Sequence, residues 1–185
     1  ITSPEGYKYA ELIFDGAMAE PHVWVDGKDV GYWAYGYNVF NLDITDATQG
    51  CKPGTYPVAV HLQNIEESSR WYPGAGIIRP VRLVLHKEKY LKTWGTFART
   101  TMVSGISSDA TSAKEARIYV SSEACVADKN GMEVIQTLKD KNGKVVATDK
   151  AWVNDSFNTD IVRTVNNAKL WSPEQPELYT LVTEL

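Results

Sequence analysis

Glu66 and Glu67 form the only pair of adjacent acidic residues in the sequence, so they are the first candidates for acid–base chemistry. A mechanism that uses one carboxyl group as an acid and another as a nucleophile needs the two about 5–5.5 Å apart across the substrate. Neighbouring residues on an extended chain point to opposite sides, so these two cannot flank one scissile bond. We expect them to be solvated loop charges, and the sequence offers no catalytic residue.

The histidines and cysteines do not have the spacing of a metal site. Structural zinc sites combine closely spaced Cys and His ligands, and this chain has neither a CxxC pair nor a pair of neighbouring histidines. We expect each histidine on a strand surface and each cysteine as a buried or half-buried free thiol. These residues are His22, His61, His86, Cys51 and Cys125.

Four aspartates suggest calcium, because hard cations prefer clusters of oxygen ligands: Asp26, Asp29, Asp43 and Asp46. A hairpin turn accounts for Asp26, and a turn at the end of a strand accounts for Asp43. The sequence contains no glycine-rich phosphate loop and no nucleophile elbow. We therefore expect neither a metal nor a cofactor.

Aromatic residues are the next chemical feature, since Trp and Tyr offer flat apolar faces against which sugar rings stack. Trp24 lies between two valines and is expected to point into the core. Trp33, Tyr35 and Tyr37 share one side if the chain there is extended, so they form either a stacking surface or a packing group. Two later tryptophans are predicted to pack inside a sandwich: Trp152 and Trp171.

Composition narrows the classes of partner. The 185-residue chain carries a net charge of −4 without a long run of Lys or Arg, which argues against nucleic-acid binding. No apolar stretch approaches the roughly 20 residues that a membrane-spanning helix needs. The chain starts at Ile1 with no signal peptide, so the compartment stays open, with a periplasmic or secreted bacterial enzyme as one alternative.

Apolar and polar residues alternate along the chain, and helical periodicity is absent. Tyr56, Val58 and Val60 share one side of a strand, whereas the stretch 7–14 is apolar on both sides like a central strand. Asp-Gly and Asn-Gly pairs mark hairpin turns. Many short strands joined by such turns predict an all-β fold of sandwiches. A charged stretch places a domain boundary near residues 87–93.

The stretch 68–79, SSRWYPGAGIIR, is the most specific in the chain. Two glycines soon after a proline let the backbone bend tightly. The bend is expected to present Arg70, Trp71 and Tyr72 at a loop tip. Arg supplies a planar fork of hydrogen-bond donors, and Trp and Tyr supply an apolar face with a polar edge.

This stretch resembles the motif in the sugar-binding domain of family-2 glycoside hydrolases, the β-galactosidase and β-glucuronidase group. Four further segments resemble the family in the same order: 14–31 (FDG…VWVDGKDVG), 35–45 (YGYNVFNLDIT), 94–96 (WGT) and 170–179 (LWSPEQPELY). Together they extend over nearly the whole chain.

The resemblance implies a jelly-roll (galactose-binding-like) sugar-binding sandwich at residues 1–88, without its earliest strands. An immunoglobulin-like sandwich at 92–185 follows and stops before its final strand. The parent enzyme, a β-galactosidase by the form of the motif, would cleave terminal β-linked sugars with retention on a downstream (β/α)₈ barrel. In the family the acid/base glutamate follows an asparagine, and no Asn-Glu dipeptide occurs here. This part of the enzyme is therefore expected to be non-catalytic and to meet the carbohydrate substrate only together with the barrel.

In the family the loop that carries this motif helps to shape the sugar pocket, which implies substrate binding by Arg70, Trp71 and Tyr72. Some relatives have an acidic residue near the place of Arg70. The alternative is that Arg70 pairs with Glu66 or Glu67 and that Trp71 packs between domains.

A rival interpretation belongs to a different functional class, a stand-alone carbohydrate-binding or adhesion module built on the same sandwiches. The identity of the sugar depends mainly on barrel residues and is left open. Exposed sheet edges often pair with another chain, so we expect homo-oligomers to form through them.

Overall fold

Every regular element in the described part of the chain is a β-strand. The computed structural model describes residues 1–63, 74–126, 131–153 and 158–185. The prediction of an all-β fold is confirmed. The chain divides into two compact units, Ile1–Glu88 and Lys89–Leu185. No helix that could cross a membrane occurs within these ranges.

The first unit contains ten strands among its described residues, all paired antiparallel. They are β1 (Thr2–Ser3), β2 (Tyr9–Phe14), β3 (Ala17–Met18), β4 (His22–Val25), β5 (Lys28–Tyr32), β6 (Phe40–Asp43), β7 (Gly54–Thr55), β8 (Val58–His61), β9 (Gly76–Ile77) and β10 (Val81–His86). Two three-stranded sheets, β10-β2-β6 and β5-β4-β8, enclose one hydrophobic core. Two short pairs, β1-β7 and β3-β9, complete the unit.

Strand β2 is the central strand that its sequence predicts, because it is buried on both faces and has a neighbour on each side. Phe14 faces Phe40 of β6 in register, and both are 1% exposed. From the other sheet, Val23 and Val25 are fully buried against them. The strand that begins at Val58 also alternates as predicted, with its valines packed against the core.

The prediction that Trp24 points into the core is wrong. Side chains alternate along β4, so the full burial of Val23 and Val25 places Trp24 on the opposite face of the sheet. There its ring is half-buried and stacks on His22, with ring centroids 4.2 Å apart. A tryptophan between two core valines therefore belongs to the outer face.

The prediction that all histidines lie on strand surfaces is wrong for His86. Its Nε2 lies 2.8 Å from Oε1 of Glu11, and both side chains are almost completely buried. Asn41 donates from Nδ2 to the other oxygen of Glu11 at 2.5 Å. A carboxylate on a central strand loses its water on folding and needs such partners. His61, by contrast, is exposed.

The hairpin between β4 and β5 turns through Asp26 and Gly27. Their φ angles are +50° and +75°, and Val25 pairs with Lys28 directly across the turn. Two consecutive positive φ angles are typical of a type I′ turn, whose twist matches that of paired strands.

Gly27→Ala is expected to lower the free energy of unfolding by about 1–2 kcal/mol, because the left-handed conformation crowds a Cβ atom against its own backbone. A Cβ at Gly27 would have no other atom within 4 Å, so the loss isolates the backbone effect. Urea unfolding followed by tryptophan fluorescence measures it. Gly27→Asn is the control and should lose much less, because Asn tolerates this conformation. Equal losses for Ala and Asn would contradict this account of the turn.

The second unit contains six strands in its described part. They are β11 (Tyr90–Ile106), β12 (Ser112–Cys125), β13 (Glu133–Lys139), β14 (Val145–Trp152), β15 (Asn158–Lys169) and β16 (Thr180–Glu184). They form two antiparallel sheets, β11-β12-β15 and β14-β13-β16. Side chains alternate along β13, since Val134, Gln136 and Leu138 are buried. The predicted Asn-Gly turn joins β13 to β14.

A buried arginine links the two sheets of this unit. Arg163 of β15 is 2% exposed and donates to the main-chain oxygen and to Oε1 of Gln136 on β13, both at 2.8 Å. Gln136 donates in turn from Nε2 to Oγ of Ser122 at 3.0 Å. Burial lowers the pKa of the Arg163 guanidinium, and the charge of Asp149 opposes that shift.

Gln136→Leu is expected to lower the free energy of unfolding by roughly 3 kcal/mol, because it leaves a buried guanidinium nitrogen without its acceptor. Chemical unfolding of the chain measures the loss. Gln136→Glu is the matched variant: it keeps an acceptor for Arg163 and should lose distinctly less. A Leu variant as stable as the parent chain would show that the link does not stabilise this unit.

The prediction that Trp152 and Trp171 pack inside a sandwich is wrong. Trp152 is 65% exposed at the end of β14, because the alternation buries the next residue, Val153, instead. Trp171 follows β15 and is 60% exposed. It lines an open groove on this unit together with Val103 and Tyr179.

Candidate functional site

The predicted substrate-binding residues Arg70, Trp71 and Tyr72 lie outside the described residues, as do Glu66 and Glu67. Their roles, and the alternative pairing of Arg70, stay predictions. The structure describes the backbone on both sides of these residues, up to residue 63 and again from residue 74.

Both sides are anchored on one short segment, residues 17–19. The Gln63 N–H donates to the oxygen of Ala19 at 2.9 Å, and the Ala19 N–H donates back to Gln63 at 3.3 Å. On the other side β9 pairs with β3, which places Gly76 opposite Met18. Gln63 and Gly76, which are described on the two sides of the stretch 64–73, thus both contact residues 17–19.

The glycines of the motif differ in conformation. Gly76 has a φ of +144°, which side chains rarely adopt, so a glycine is required where the chain enters β9. Gly74 does not share that backbone conformation. At the end of the motif, the side chain of Arg79 packs over Gly16. Its guanidinium donates to the main-chain oxygen of Asp15 at 3.4 Å.

The aromatic segment, residues 33–37, is held against the same short segment. A Cβ on Gly36 would lie 3.1 Å from Cα of Met18 and 3.2 Å from the oxygen of Ala17. Real Cβ atoms rarely come so close, so the absence of a side chain allows the contact. The aromatic segment, Gln63 and Gly76 therefore all contact residues 17–19.

Trp33 extends an aromatic stack from the core to the surface. The rings of Phe14 and Phe40 are 4.9 Å apart and differ by 3° in tilt, and those of Phe40 and Trp33 are 5.6 Å apart and differ by 7°. The two phenylalanines are buried, whereas Trp33 is 38% exposed. The Trp33 N–H also donates to the oxygen of Pro21 at 3.0 Å. Stacking on Phe40 therefore holds the exposed ring of Trp33 on one side, and the hydrogen bond to Pro21 holds its main chain.

Tyr35 and Tyr37 lie beside each other on the surface. Their ring centroids are 5.5 Å apart with a tilt of 53°, and the side chains are 56% and 48% exposed. Strand β5 ends at Tyr32, so the extended conformation considered for Trp33, Tyr35 and Tyr37 is not present. The two tyrosines instead lie on either side of Gly36, at a turn of the chain.

Two of the four aspartates that suggested calcium have local side-chain partners. Asp43 accepts the N–H of Thr45 at 2.8 Å, and Asp29 accepts that of Gly31 at 2.9 Å and pairs with His22. Within the described ranges no three His, Cys, Asp or Glu residues are grouped as a metal site requires.

Both cysteines are free thiols, as predicted. Cys51 is 2% exposed, and its burial raises the pKa of the thiol. Cys125 is half-buried in the other unit. A buried thiol with a raised pKa is a poor nucleophile, so Cys51 belongs to the core.

Sequence reasoning found the aromatic segment but missed its connection to the core. Alternation carried no signal for this connection, because β5 ends at Tyr32 and the strand pattern no longer applies at Trp33. What the spacing did not reveal was the stack with Phe40, which depends on the return of the chain in β6.

Comparison with known proteins supports the resemblance. Residues 102–185 match the family model described as "Glycosyl hydrolases family 2". A putative β-glucuronidase from Formosa agariphila is 32% identical over 96% of this chain, and β-galactosidase BoGH2A from Bacteroides ovatus is 30% identical over 96%. The chain belongs with the family 2 glycosyl hydrolases.

Solved structures agree with this family assignment. A family 2 member from Bacteroides cellulosilyticus matches 97% of the chain at 29% identity with a TM-score of 0.77. A β-glycosidase from Bacteroides vulgatus, 24% identical, shares the fold over 99% of the chain with a TM-score of 0.83. The chain spans only 16% and 21% of the two curated relatives and 22% of each of these structures.

Gly36→Ala is expected to destabilise the first unit by about 1–3 kcal/mol, because a methyl group there overlaps the backbone of Met18. The shift of the urea midpoint measures the loss. Gly74→Ala is the matched control, since its Cβ would meet no atom within 4 Å and no left-handed backbone is involved. Equal stability of the two variants would contradict the close packing of the aromatic segment.

Proposed function

We propose that this chain is the non-catalytic, substrate-positioning part of a retaining glycoside hydrolase of the β-galactosidase type. The observation that supports this most directly is the similarity of nearly the whole chain to two glycosidases of which it spans only 16% and 21%. The catalytic glutamates would lie on a (β/α)₈ barrel elsewhere in the protein, as the family resemblance implies.

In this proposal residues 1–88 are a sugar-binding jelly-roll domain and residues 92–185 an immunoglobulin-like domain. The loop that carries Arg70, Trp71 and Tyr72 lies in the sequence between Gln63 and Gly76, which both contact residues 17–19. Those side chains would shape the sugar pocket and would not cleave a bond.

The test compares the 185-residue chain with the longer protein that contains it, using nitrophenyl β-galactoside and nitrophenyl β-glucuronide. The chain alone should release no nitrophenol, and the longer protein should prefer the galactoside. Hydrolysis by the chain alone would overturn the non-catalytic role, and a preference for the glucuronide would overturn the β-galactosidase assignment.

A second experiment addresses the loop. In the longer protein, Trp71→Ala should raise KM for the galactoside roughly tenfold, which corresponds to about 1.4 kcal/mol of lost binding. Arg117→Ala is the control, because this exposed arginine pairs with Glu115 in the second unit. Unchanged kinetics for the Trp71 variant would contradict a pocket role and favour packing alone.

A stand-alone carbohydrate-binding or adhesion module is the second candidate, and the exposed aromatic segment is the observation that favours it. The two functions differ in whether a catalytic barrel accompanies these sandwiches in the longer protein. A longer protein without a barrel and without glycosidase activity would support the module.

A further inference from the structure

We propose that Trp33, Tyr35 and Tyr37 form a binding surface for an uncharged carbohydrate, on which Trp33 stacks against the face of a pyranose ring. The surface is named here the aromatic platform. The chain alone would bind sugar at this surface, whether or not the longer protein hydrolyses glycosides as proposed above.

The first support is the rigidity of Trp33. The buried, nearly parallel rings of Phe40 and Phe14 continue the stack into the core, and the main-chain N–H of Trp33 donates to the oxygen of Pro21. An exposed aromatic side chain usually loses rotational freedom when a ligand binds. Because packing already holds this ring, little of that entropic cost remains to oppose binding.

The second support is the chemistry of the exposed atoms. The stretch 32–39, YWAYGYNV, contains no charged residue. Its rings offer flat apolar faces, and the phenolic hydroxyl groups of Tyr35 and Tyr37 donate and accept hydrogen bonds. A neutral sugar has the complementary arrangement, with C–H groups on the face of the ring and hydroxyl groups at its rim. A sugar acid would leave its carboxylate without a cationic partner in this stretch.

The third support is the size of the surface. With about 150–250 Å² for each aromatic side chain, the exposed fractions of 38%, 56% and 48% amount to roughly 300 Å². A specific protein interface needs about 800 Å² on each partner. The three rings suit one or two sugar rings, whereas a protein partner would have to extend onto further exposed residues such as Tyr32 and Val39.

The experiment titrates the 185-residue chain with uncharged β-linked oligosaccharides of galactose, glucose and mannose, and with an oligogalacturonate as the charged comparison. Calorimetry measures affinity, and saturation-transfer NMR reports which sugar protons contact the protein. At least one uncharged series should bind in the millimolar range, with the protons of one ring face most strongly saturated. The oligogalacturonate should bind at least about tenfold more weakly.

Trp33→Ala should reduce the affinity at least roughly tenfold. Since Trp33 also packs on Phe40, the double variant Tyr35→Ala/Tyr37→Ala provides a second test with two exposed side chains, and it should weaken binding as well. Trp152→Ala, which removes another exposed tryptophan from the second unit, is the matched control and should bind like the parent chain. Thermal unfolding of each variant confirms that the fold is retained.

Three results would overturn the inference. One is no binding of any uncharged series at about 10 mM ligand, which would at least half-saturate a site whose dissociation constant lies between about 1 and 10 mM. Another is equal affinity of the parent chain, the Trp33 variant and the double tyrosine variant. The third is a self-associating chain whose dimer, in sedimentation experiments, is abolished by the aromatic variants, which would make a second copy the occupant. None of these outcomes depends on whether a longer protein cleaves glycosides.

Discussion

The first unit depends on the contact between Phe14 and Phe40, which face each other on neighbouring strands with their rings 4.9 Å apart. Each lies at the end of its strand pairing, and both are buried against the valines of the second sheet. Aromatic rings of this size contribute much of the free energy of a small core through the apolar area they remove from water. Here the same contact also orients Trp33, so core packing and surface chemistry are coupled.

A second constraint is the convergence of three features on residues 17–19. Gly36 packs on Met18, Gly76 pairs with it, and Gln63 exchanges hydrogen bonds with Ala19. At Gly36 the absence of a side chain allows the backbones to approach closely, whereas at Gly76 it allows a φ of +144°. This arrangement explains why glycines occupy positions in both of the segments that resemble the family's sugar-binding domain.

The second unit is stabilised differently. Its two sheets are joined by the hydrogen bonds of Arg163 and Gln136 in addition to apolar contacts. Burying a guanidinium is costly unless its donors are paired, and among the described residues the Nε of Arg163 has no hydrogen-bond partner, so the two bonds to Gln136 carry the compensation. Its residues lie inside the sandwich and offer nothing to a ligand.

The sequence by itself determined the all-β fold, because alternation and Asp-Gly or Asn-Gly turns are local signals that tertiary contacts rarely override. It also indicated the family, through ordered motifs, and the importance of the aromatic segment. Tertiary structure decided which side of each strand faced the core: Trp24 and Trp152 lie outside because neighbouring valines are buried, and His86 lies inside because Glu11 needs a partner. It also decided that Trp33 stacks on Phe40, since that contact joins residues whose proximity depends on the return of the chain rather than on spacing. Periodicity assigns residues to alternate faces, but only packing determines which face is buried.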